Sequence, residues 1–411
     1  MVYRNIIYNF LAFMYVFSFN FQNVKIFPQV GSISMIGEYY LLPISCLIYF
    51  FKKKECLSKI SEIYKNYIIY FVISSIFMNI VFYMFLNKIE VYGELFLVKS
   101  IQLLLHLIFQ LISINALFYI FKQLKFKNIK LILNINFIFL VGYFIYERYF
   151  FKEIGRIKLL ASEPSIAGYS ISIVFLMTFY INRKIIIRFL ITCIYLIILY
   201  SIGSKGAVLC LLISFIICMS INFKKNKKLM IFLCFFTILI FKLFFYKKII
   251  NMFFIDLEKF TSLVTRSWSI ITAIITTLMF PFGSSGGYLL TYSFFGEGIK
   301  NIYLKLFPNL NYSEINYMLK TGIYLAPKAG IFFGFLISGI GYIYILVSIF
   351  RYLYKNLKNE KILCMLLICY FISSLIYISD MQTPIQILIY SFLLCIIKFN
   401  KKGRKNADKL Y

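Results

Sequence analysis

Long apolar runs, separated by short charged or turn-forming stretches, recur along the chain. Roughly twelve of them approach the ~20 residues that a helix needs to cross the hydrocarbon core of a membrane. They lie at residues 6–21, 32–51, 66–86, 97–121, 129–147, 166–182, 185–202, 206–222, 229–246, 329–350, 362–379 and 383–398. Because lipid-embedded backbone must pair internally, the runs predict an all-α fold, a polytopic membrane bundle of about 12 transmembrane helices. All of 1–411 is expected to form this single integral membrane domain.

The interval 247–328 breaks this pattern, because it is the longest stretch without a predicted span, and it lies between the ninth and tenth spans. Within it, residues 262–280 carry Arg266, Trp268 and many serines and threonines. This segment is a thirteenth possible span, but its polar residues lead us to expect a helix that lies in an external loop or at the membrane interface. Long loops are often functional, so this interval is the first place to look for chemistry.

The composition supports a membrane protein. Hydrophobic residues make up 62% of the chain and charged residues 14%, with a mean hydropathy of +0.85. A soluble globule with this composition could not cover its surface with polar groups. The net charge of +29 is concentrated at the ends of apolar runs. It therefore indicates membrane orientation and attraction to anionic lipid, rather than binding to nucleic acid.

The basic clusters fall on one side of the membrane if the spans alternate, and by the positive-inside rule that side is the cytoplasm. Both termini are then cytoplasmic, and residues 247–328 form a large late periplasmic loop. The clusters lie at residues 52–54, 122–130, 183–184, 224–228, 351–361 and 401–405.

The nine cysteines fall in predicted spans or in an inner loop, and the chain has one histidine. No structural disulfide is expected, and no Cys/His spacing resembles a metal site. We therefore expect neither a metal nor a cofactor.

A polar stripe runs along the fourth predicted span. Lys99, Gln102, His106 and Gln110 recur at helical spacing. One interpretation is that the stripe lines a cavity, where His106 contacts a polar substrate. The other is that it makes hydrogen bonds between helices. Glu38, in the second span, is a candidate counter-charge for Lys99.

Two outward stretches carry candidate anion-binding groups. The first contains Arg156 and then Glu163-Pro164, directly before the sixth span, where Glu163 is either functional or a helix cap. The second is a hairpin at residues 201–207, in which Lys205 and free backbone amides could hold an anion. Alternatively, it is only a tight glycine turn.

The third stretch is the late interval. Arg266 and Trp268 precede Pro281-Phe282-Gly283 and the pair Gly286-Gly287. Arginine presents a fork of donors that suits phosphate oxygens, and glycine permits close approach of the backbone. We expect Trp268, Gly283 and Gly286 to contact the substrate.

The order of these pieces resembles the O-antigen polymerase and ligase family of bacterial envelopes, over residues 150 to 345. The pieces are an arginine with a Pro-containing turn, Ser204-Lys205-Gly206-Ala207, Arg266-x-Trp268, Pro281-Phe282-Gly283-x-x-Gly286, and Ala329-Gly330 leading to Ser338-Gly339-Ile340-Gly341. The resemblance implies a GT-C-like membrane glycosyltransferase without a nucleotide sugar. Polymerases of this family join oligosaccharide repeats carried on undecaprenyl pyrophosphate, at the outer face of the inner membrane.

The resemblance also implies roles for individual residues. Arg156 and Arg266 would stabilise the leaving diphosphate, with Lys205 and Lys328 as lesser candidates. Glu163 is the first candidate for the base that receives the proton of the acceptor hydroxyl. The partners would be the lipid-linked oligosaccharide, as donor and acceptor, the bilayer and a chain-length regulator.

Two alternatives remain. A ligase of the same architecture moves the finished glycan to the core of lipopolysaccharide, but such ligases commonly place a histidine in the late loop, which this chain lacks. A flippase for the same lipid-linked oligosaccharide would also have many spans. Transporters, however, usually show repeated halves, and no internal repeat is visible.

Reporter fusions test the predicted orientation. A fusion after Lys300 is expected to report the outside and one after Lys227 the cytoplasm, because Lys227 belongs to a basic cluster and one predicted span separates the two positions. A fusion after Lys53, in the first basic cluster, is the cytoplasmic control. If Lys227 and Lys300 reported the same side, the assignment of spans would be wrong.

Overall fold

The structure is a computed structural model that describes residues 2–21, 41–150, 157–161, 163–221, 262–376 and 384–407. Several sequence predictions fall outside these residues. They are Arg156, Glu38, the span 229–246, residues 32–40 of the span 32–51, and the first part of the interval 247–328.

The described residues are almost entirely helical. The helices are α1 (Val2–Ser18), α2 (Leu42–Phe51), α3 (Lys53–Cys56), α4 (Lys59–Leu86), α5 (Phe96–Gln123), α6 (Phe126–Tyr149), α7 (Pro164–Ile181), α8 (Ile185–Ile202), α9 (Lys205–Ile221), α10 (Ser262–Met279), α11 (Tyr288–Leu306), α12 (Ser313–Thr321), α13 (Gly330–Ser338), α14 (Ile340–Leu357), α15 (Lys361–Ile376) and α16 (Pro384–Ala407). A two-stranded antiparallel hairpin, β1 (Glu90–Val91) and β2 (Glu94–Leu95), joins α4 to α5, and a 3-10 turn (Ser285–Gly287) precedes α11.

Five of the described helices, α4 to α8, are long and apolar enough to cross a membrane. The described chain is thus a helical membrane protein, as the apolar runs predicted, while the count of twelve spans stays a prediction. Helix α5 forms the centre of the bundle and packs against α2, α4 and α16. Its second half, from Gln110 to Phe121, is buried on every face.

The late interval is helical and packed against the bundle. Helices α10 and α11 form an antiparallel pair joined by the turn at residues 280–287. Helix α13 runs beside α10 in the same direction. The amide of Lys328 donates to Ser269 Oγ at one end of this pair (3.3 Å), and the amide of Ile340 donates to the Pro281 carbonyl at the other (2.8 Å).

The tenth predicted span, residues 329–350, is a broken helix. Helix α13 ends at Ser338 and α14 begins at Ile340, with Gly339 between them at φ +50°. The turn after α10 pairs with the break. Pro281 accepts from the Ile340 amide, and Ser284 donates its amide to the Leu336 carbonyl (2.8 Å). Backbone that leaves a helix inside an apolar bundle is stable only when such partners are present.

The glycine-rich turn is wedged between α4 and α5. The Gly286 amide donates to Ser100 Oγ (3.0 Å), and the Ser285 hydroxyl bonds to those of Ser75 and Ser100. A Cβ on Gly286 would lie 1.9 Å from the Phe96 carbonyl oxygen. This turn therefore needs glycine because two helix backbones meet there.

The β-hairpin between α4 and α5 contacts the end of α12 in the late interval. Tyr92 donates its hydroxyl to the Leu319 carbonyl near the end of α12 (2.6 Å), and its ring packs on Gly322. Gly322 has φ +71°, and a side chain there would meet the Tyr92 ring at 2.5 Å. The position of α12 is thus tied to the link between two long helices.

Gly286→Ala is expected to destabilise the protein by about 1–3 kcal/mol or more, because the new methyl group overlaps a backbone carbonyl that cannot move freely. Gly298→Ala is the matched control, since Gly298 lies on the exposed face of α11 with nothing within 4 Å. There alanine should be neutral or favourable by up to ~1 kcal/mol. The measurement is thermal unfolding in detergent, and equal stability of the two variants would contradict the packing.

Candidate functional site

Polar side chains meet where α10, α12 and the segment leading into α13 come together. Thr265 donates its hydroxyl to Glu314 Oε2 (2.8 Å), and Lys328 Nζ lies 3.3 Å from Glu314 Oε1. Ser269 Oγ accepts from the Lys328 amide. We call Thr265, Ser269, Glu314 and Lys328, together with Arg266 as the next residue after Thr265 on α10, the polar junction.

Local structure explains how these groups meet. Thr265 and Ser269 stand one turn apart on the buried face of α10, and each is at most 1% exposed. Glu314 lies in the first turn of α12. Lys328 lies two residues before the start of α13, outside the helix, and its amide donates to Ser269. The residues of the junction therefore lie at or near the first turns of three helices, α10, α12 and α13.

The junction carries two basic side chains and one acidic side chain. Arg266 is partly buried beside Thr265 on α10. The side chains of Lys328 and Glu314 are 27% and 33% exposed, and Lys328 Nζ lies 6.0 Å from the centre of the Tyr324 ring. With a surplus of positive charge that solvent can reach, this region suits an anionic ligand.

The ion pair between Lys328 and Glu314 contributes little stabilisation, because both side chains are partly exposed to solvent. Exposed ion pairs typically contribute about 0–1 kcal/mol, because water screens the charges and the side chains lose freedom. Both partners here are partly exposed. A ligand with more negative charge than one carboxylate could therefore displace Glu314 from Lys328 at little cost.

Trp268 lies next to the junction but inside the core. It is 0% exposed, its Nε1 donates to the Gly296 carbonyl (2.9 Å), and its ring meets Tyr292 edge-on at 5.6 Å. Tyr292 also donates its hydroxyl to the Ser269 carbonyl (3.1 Å). The structure thus gives Trp268 the role of joining α10 to α11, where the sequence suggested contact with a substrate.

Gly283 and Gly286 are far from Arg266. They follow the end of α10, whereas Arg266 stands near its start, and the 13 helical steps from Arg266 to Met279 correspond to ~20 Å. Both glycines are buried. The arginine and the glycine-rich turn therefore do not form one anion site, because a rigid helix holds them apart.

The two earlier stretches with candidate anion-binding groups are partly described. Glu163 is exposed at the start of α7 and makes no side-chain cap to the helix. Its Oε2 accepts from the Ser165 hydroxyl at 3.2 Å. Lys205 is the first residue of α9, after a tight turn at Gly203 with φ +67°. Ser204 Oγ accepts from the Ala207 amide at 3.4 Å and caps that helix.

The polar stripe lies on α5 and changes its environment along the helix. Lys99 pairs with Glu94 of β2 at 2.7 Å. Gln102 is exposed, His106 is partly buried and Gln110 is 1% exposed. The end of the stripe at Gln110 therefore faces the packed bundle, whereas Lys99 at the other end pairs with Glu94, which is close in sequence.

Glu314 is the residue that sequence analysis missed. Its signals were modest: an acidic residue after Ser313 in a short amphipathic stretch, in a chain with only 15 acidic residues. Among the described residues, no group of three or more His, Cys, Asp or Glu side chains is placed to hold a metal ion.

Trp268→Ala is expected to lower stability by about 3–5 kcal/mol, as for other fully buried large aromatic residues. Tyr317→Ala, which removes a half-exposed aromatic ring from α12, is the matched control and should change stability by less than ~1 kcal/mol. Thermal unfolding of both variants checks the packing role. A stable Trp268→Ala protein would contradict it.

No protein-family model matches this chain, and no curated protein is significantly similar to it.

Proposed function

We propose that the chain is a glycosyltransferase of the polymerase type. It joins undecaprenyl-pyrophosphate-linked oligosaccharide repeats at the outer face of the bacterial inner membrane and releases undecaprenyl pyrophosphate. The observation that carries the proposal is the polar junction, in which Thr265 and Lys328 bind Glu314 where the apolar helices α10 and α13 begin. Arg266 follows Thr265 on α10 and is partly buried.

The reaction needs little beyond charge stabilisation and positioning. The acceptor hydroxyl oxygen attacks the anomeric carbon of the donor glycan, and the bond from that carbon to the diphosphate oxygen breaks. The electron pair leaves with the diphosphate, whose negative charge grows. Arg266 can bind two diphosphate oxygens at once, and Lys328 supplies a second cation.

Glu314 provides a place for the proton. When the diphosphate replaces Glu314 as the ion-pair partner of Lys328, the Glu314 carboxylate keeps only the hydrogen bond from Thr265. It can then accept the proton of the acceptor hydroxyl. Glu314 thereby becomes the leading candidate base because it lies beside the cations, and Glu163 remains the alternative.

The surroundings of the junction suit a lipid-linked substrate. Helix α10 continues from the junction with apolar side chains that are exposed, including Ile271 at 38% and Ile274 at 41%. A polyprenyl chain attached to a diphosphate at the junction could lie along such a surface. A soluble nucleotide sugar would gain nothing from it.

Elongation by the purified protein is the direct test. Wild type is expected to make a ladder of glycan lengths from a lipid-pyrophosphate repeat without added nucleotide. Arg266→Ala should lower the rate by about 10²–10³-fold, as for other single donors that stabilise developing charge. Lys328→Ala should act in the same direction, and Arg266→Lys should retain only part of the activity, because it lacks the bidentate fork.

Lys59→Ala is the matched control. Lys59 pairs with Glu62 in the first turn of α4 at 2.7 Å. The opposite end of α4 is the one linked to α12 through Tyr92, so loss of Lys59 should leave the ladder unchanged. A normal ladder from Arg266→Ala would remove Arg266 from the mechanism. Transfer only to a lipopolysaccharide core would identify a ligase, and translocation without elongation would identify a flippase.

A further inference from the structure

A long uncharged stretch forms the pair of helices α10 and α11. Residues 267–296 contain no Asp, Glu, Lys, Arg or His, whereas Arg266 stands directly before them and Glu297 and Lys300 directly after. We call residues 267–296 the α10–α11 hairpin. Charges thus mark both ends of a segment that is as free of charge as a membrane span.

Each limb of the hairpin is too short to cross a bilayer. From residue 267 to Met279, α10 extends ~20 Å, and α11 from Tyr288 to residue 296 extends ~14 Å. The hydrocarbon core is ~30 Å thick. Because the limbs are antiparallel, the chain returns to the side from which it came.

The tip of the hairpin reaches the middle of the bundle. Pro281 bonds to Ile340 at the helix break, which divides the uncharged run 329–350 near its centre. The Phe282 carbonyl accepts from the Tyr70 hydroxyl (3.3 Å), and Tyr70 lies near the middle of the 28-residue helix α4. The other end of the hairpin, where α10 begins, lies at the same depth as the start of α13, because Ser269 bonds to Lys328 there.

The outward face of the hairpin is apolar. Leu278 is 74% exposed, Met279 65%, Phe282 52% and Phe294 73%. Serine and threonine side chains of α10 bond instead to its own backbone, as in Thr272 to the Trp268 carbonyl and Thr276 to the Thr272 carbonyl. These hydroxyl groups are therefore satisfied within α10, and the apolar outward face is suited to hydrocarbon.

We infer that the α10–α11 hairpin is a re-entrant membrane element whose outward face contacts the acyl chains of the bilayer. It enters from the side of the polar junction, turns at mid-depth against the broken helix α13–α14, and leaves on the same side. Arg266 and Lys328 then lie at the membrane boundary, at the level of lipid headgroups. This inference does not depend on the enzymatic activity.

Spin labels in proteoliposomes test the inference. Single cysteines replace Leu278, Phe294 and, as the control outside the uncharged stretch, Glu297, in a chain whose nine native cysteines are exchanged for alanine or serine. We expect the ratio of collision rates with oxygen and with a water-soluble nickel complex to be several-fold higher at 278 and 294 than at 297. High nickel accessibility at 278 or 294 would place the hairpin in water and overturn the inference.

Low accessibility to both reagents at 278 and 294 would also overturn it, because another protein segment would then cover the face. A second measurement avoids the cysteine exchange. A photoreactive benzophenone amino acid at Phe294 of the otherwise native chain should form an adduct with the mass of a phospholipid. Crosslinking to protein alone would contradict lipid contact.

Discussion

The arrangement of the late part of the chain depends on how the backbone amide and carbonyl groups at one interrupted helix find hydrogen-bond partners. At Gly339 the apolar run that begins after Lys328 loses its helical hydrogen bonds, and the turn after α10 replaces them through Pro281 and Ser284. An unpaired amide or carbonyl in such surroundings costs several kcal/mol. The break and the turn are therefore each unfavourable alone and stable only together. This mutual requirement fixes the position of α10 against α13, and hence the position of everything that α10 carries.

Two regions with separate tasks follow from this arrangement. The glycine-rich turn anchors the α10–α11 hairpin by packing between α4 and α5. Serine hydroxyls and close backbone contacts leave no room for a ligand there. The polar junction lies at the other end of α10, where side chains are accessible and charged. Trp268 connects the two by holding α10 on α11. Changes at the turn should therefore affect folding, and under the proposed function changes at the junction should affect catalysis.

The sequence predicted the helical membrane architecture well, because apolar length is a local property and α4 to α8 each satisfy it alone. It also placed Arg266 and Lys328 in one interval. The pairing of Glu314 with Thr265 and Lys328 could not be read from the sequence, since it joins residues 14 to 49 positions apart through the fold. The break at Gly339 was hidden for a related reason. Hydropathy averages over a window, so one glycine inside an apolar run does not change the average. The sequence did not reveal the close packing of Trp268, Gly283 and Gly286, because it does not distinguish close packing from close approach to a substrate. Their contact with a substrate stays a prediction.

The parallel course of α10 and α13 has an electrostatic consequence. Both helices begin at the junction, as does α12. The beginning of a helix carries a partial positive charge of about half an elementary unit from its aligned peptide dipoles. Three such ends therefore reinforce the side-chain cations, and this share of the potential belongs to the backbone. It has no pKa, so pH cannot titrate it, and no single side-chain substitution removes it. An anion at this place would be attracted by the fold itself, with Arg266 and Lys328 deciding how it is oriented.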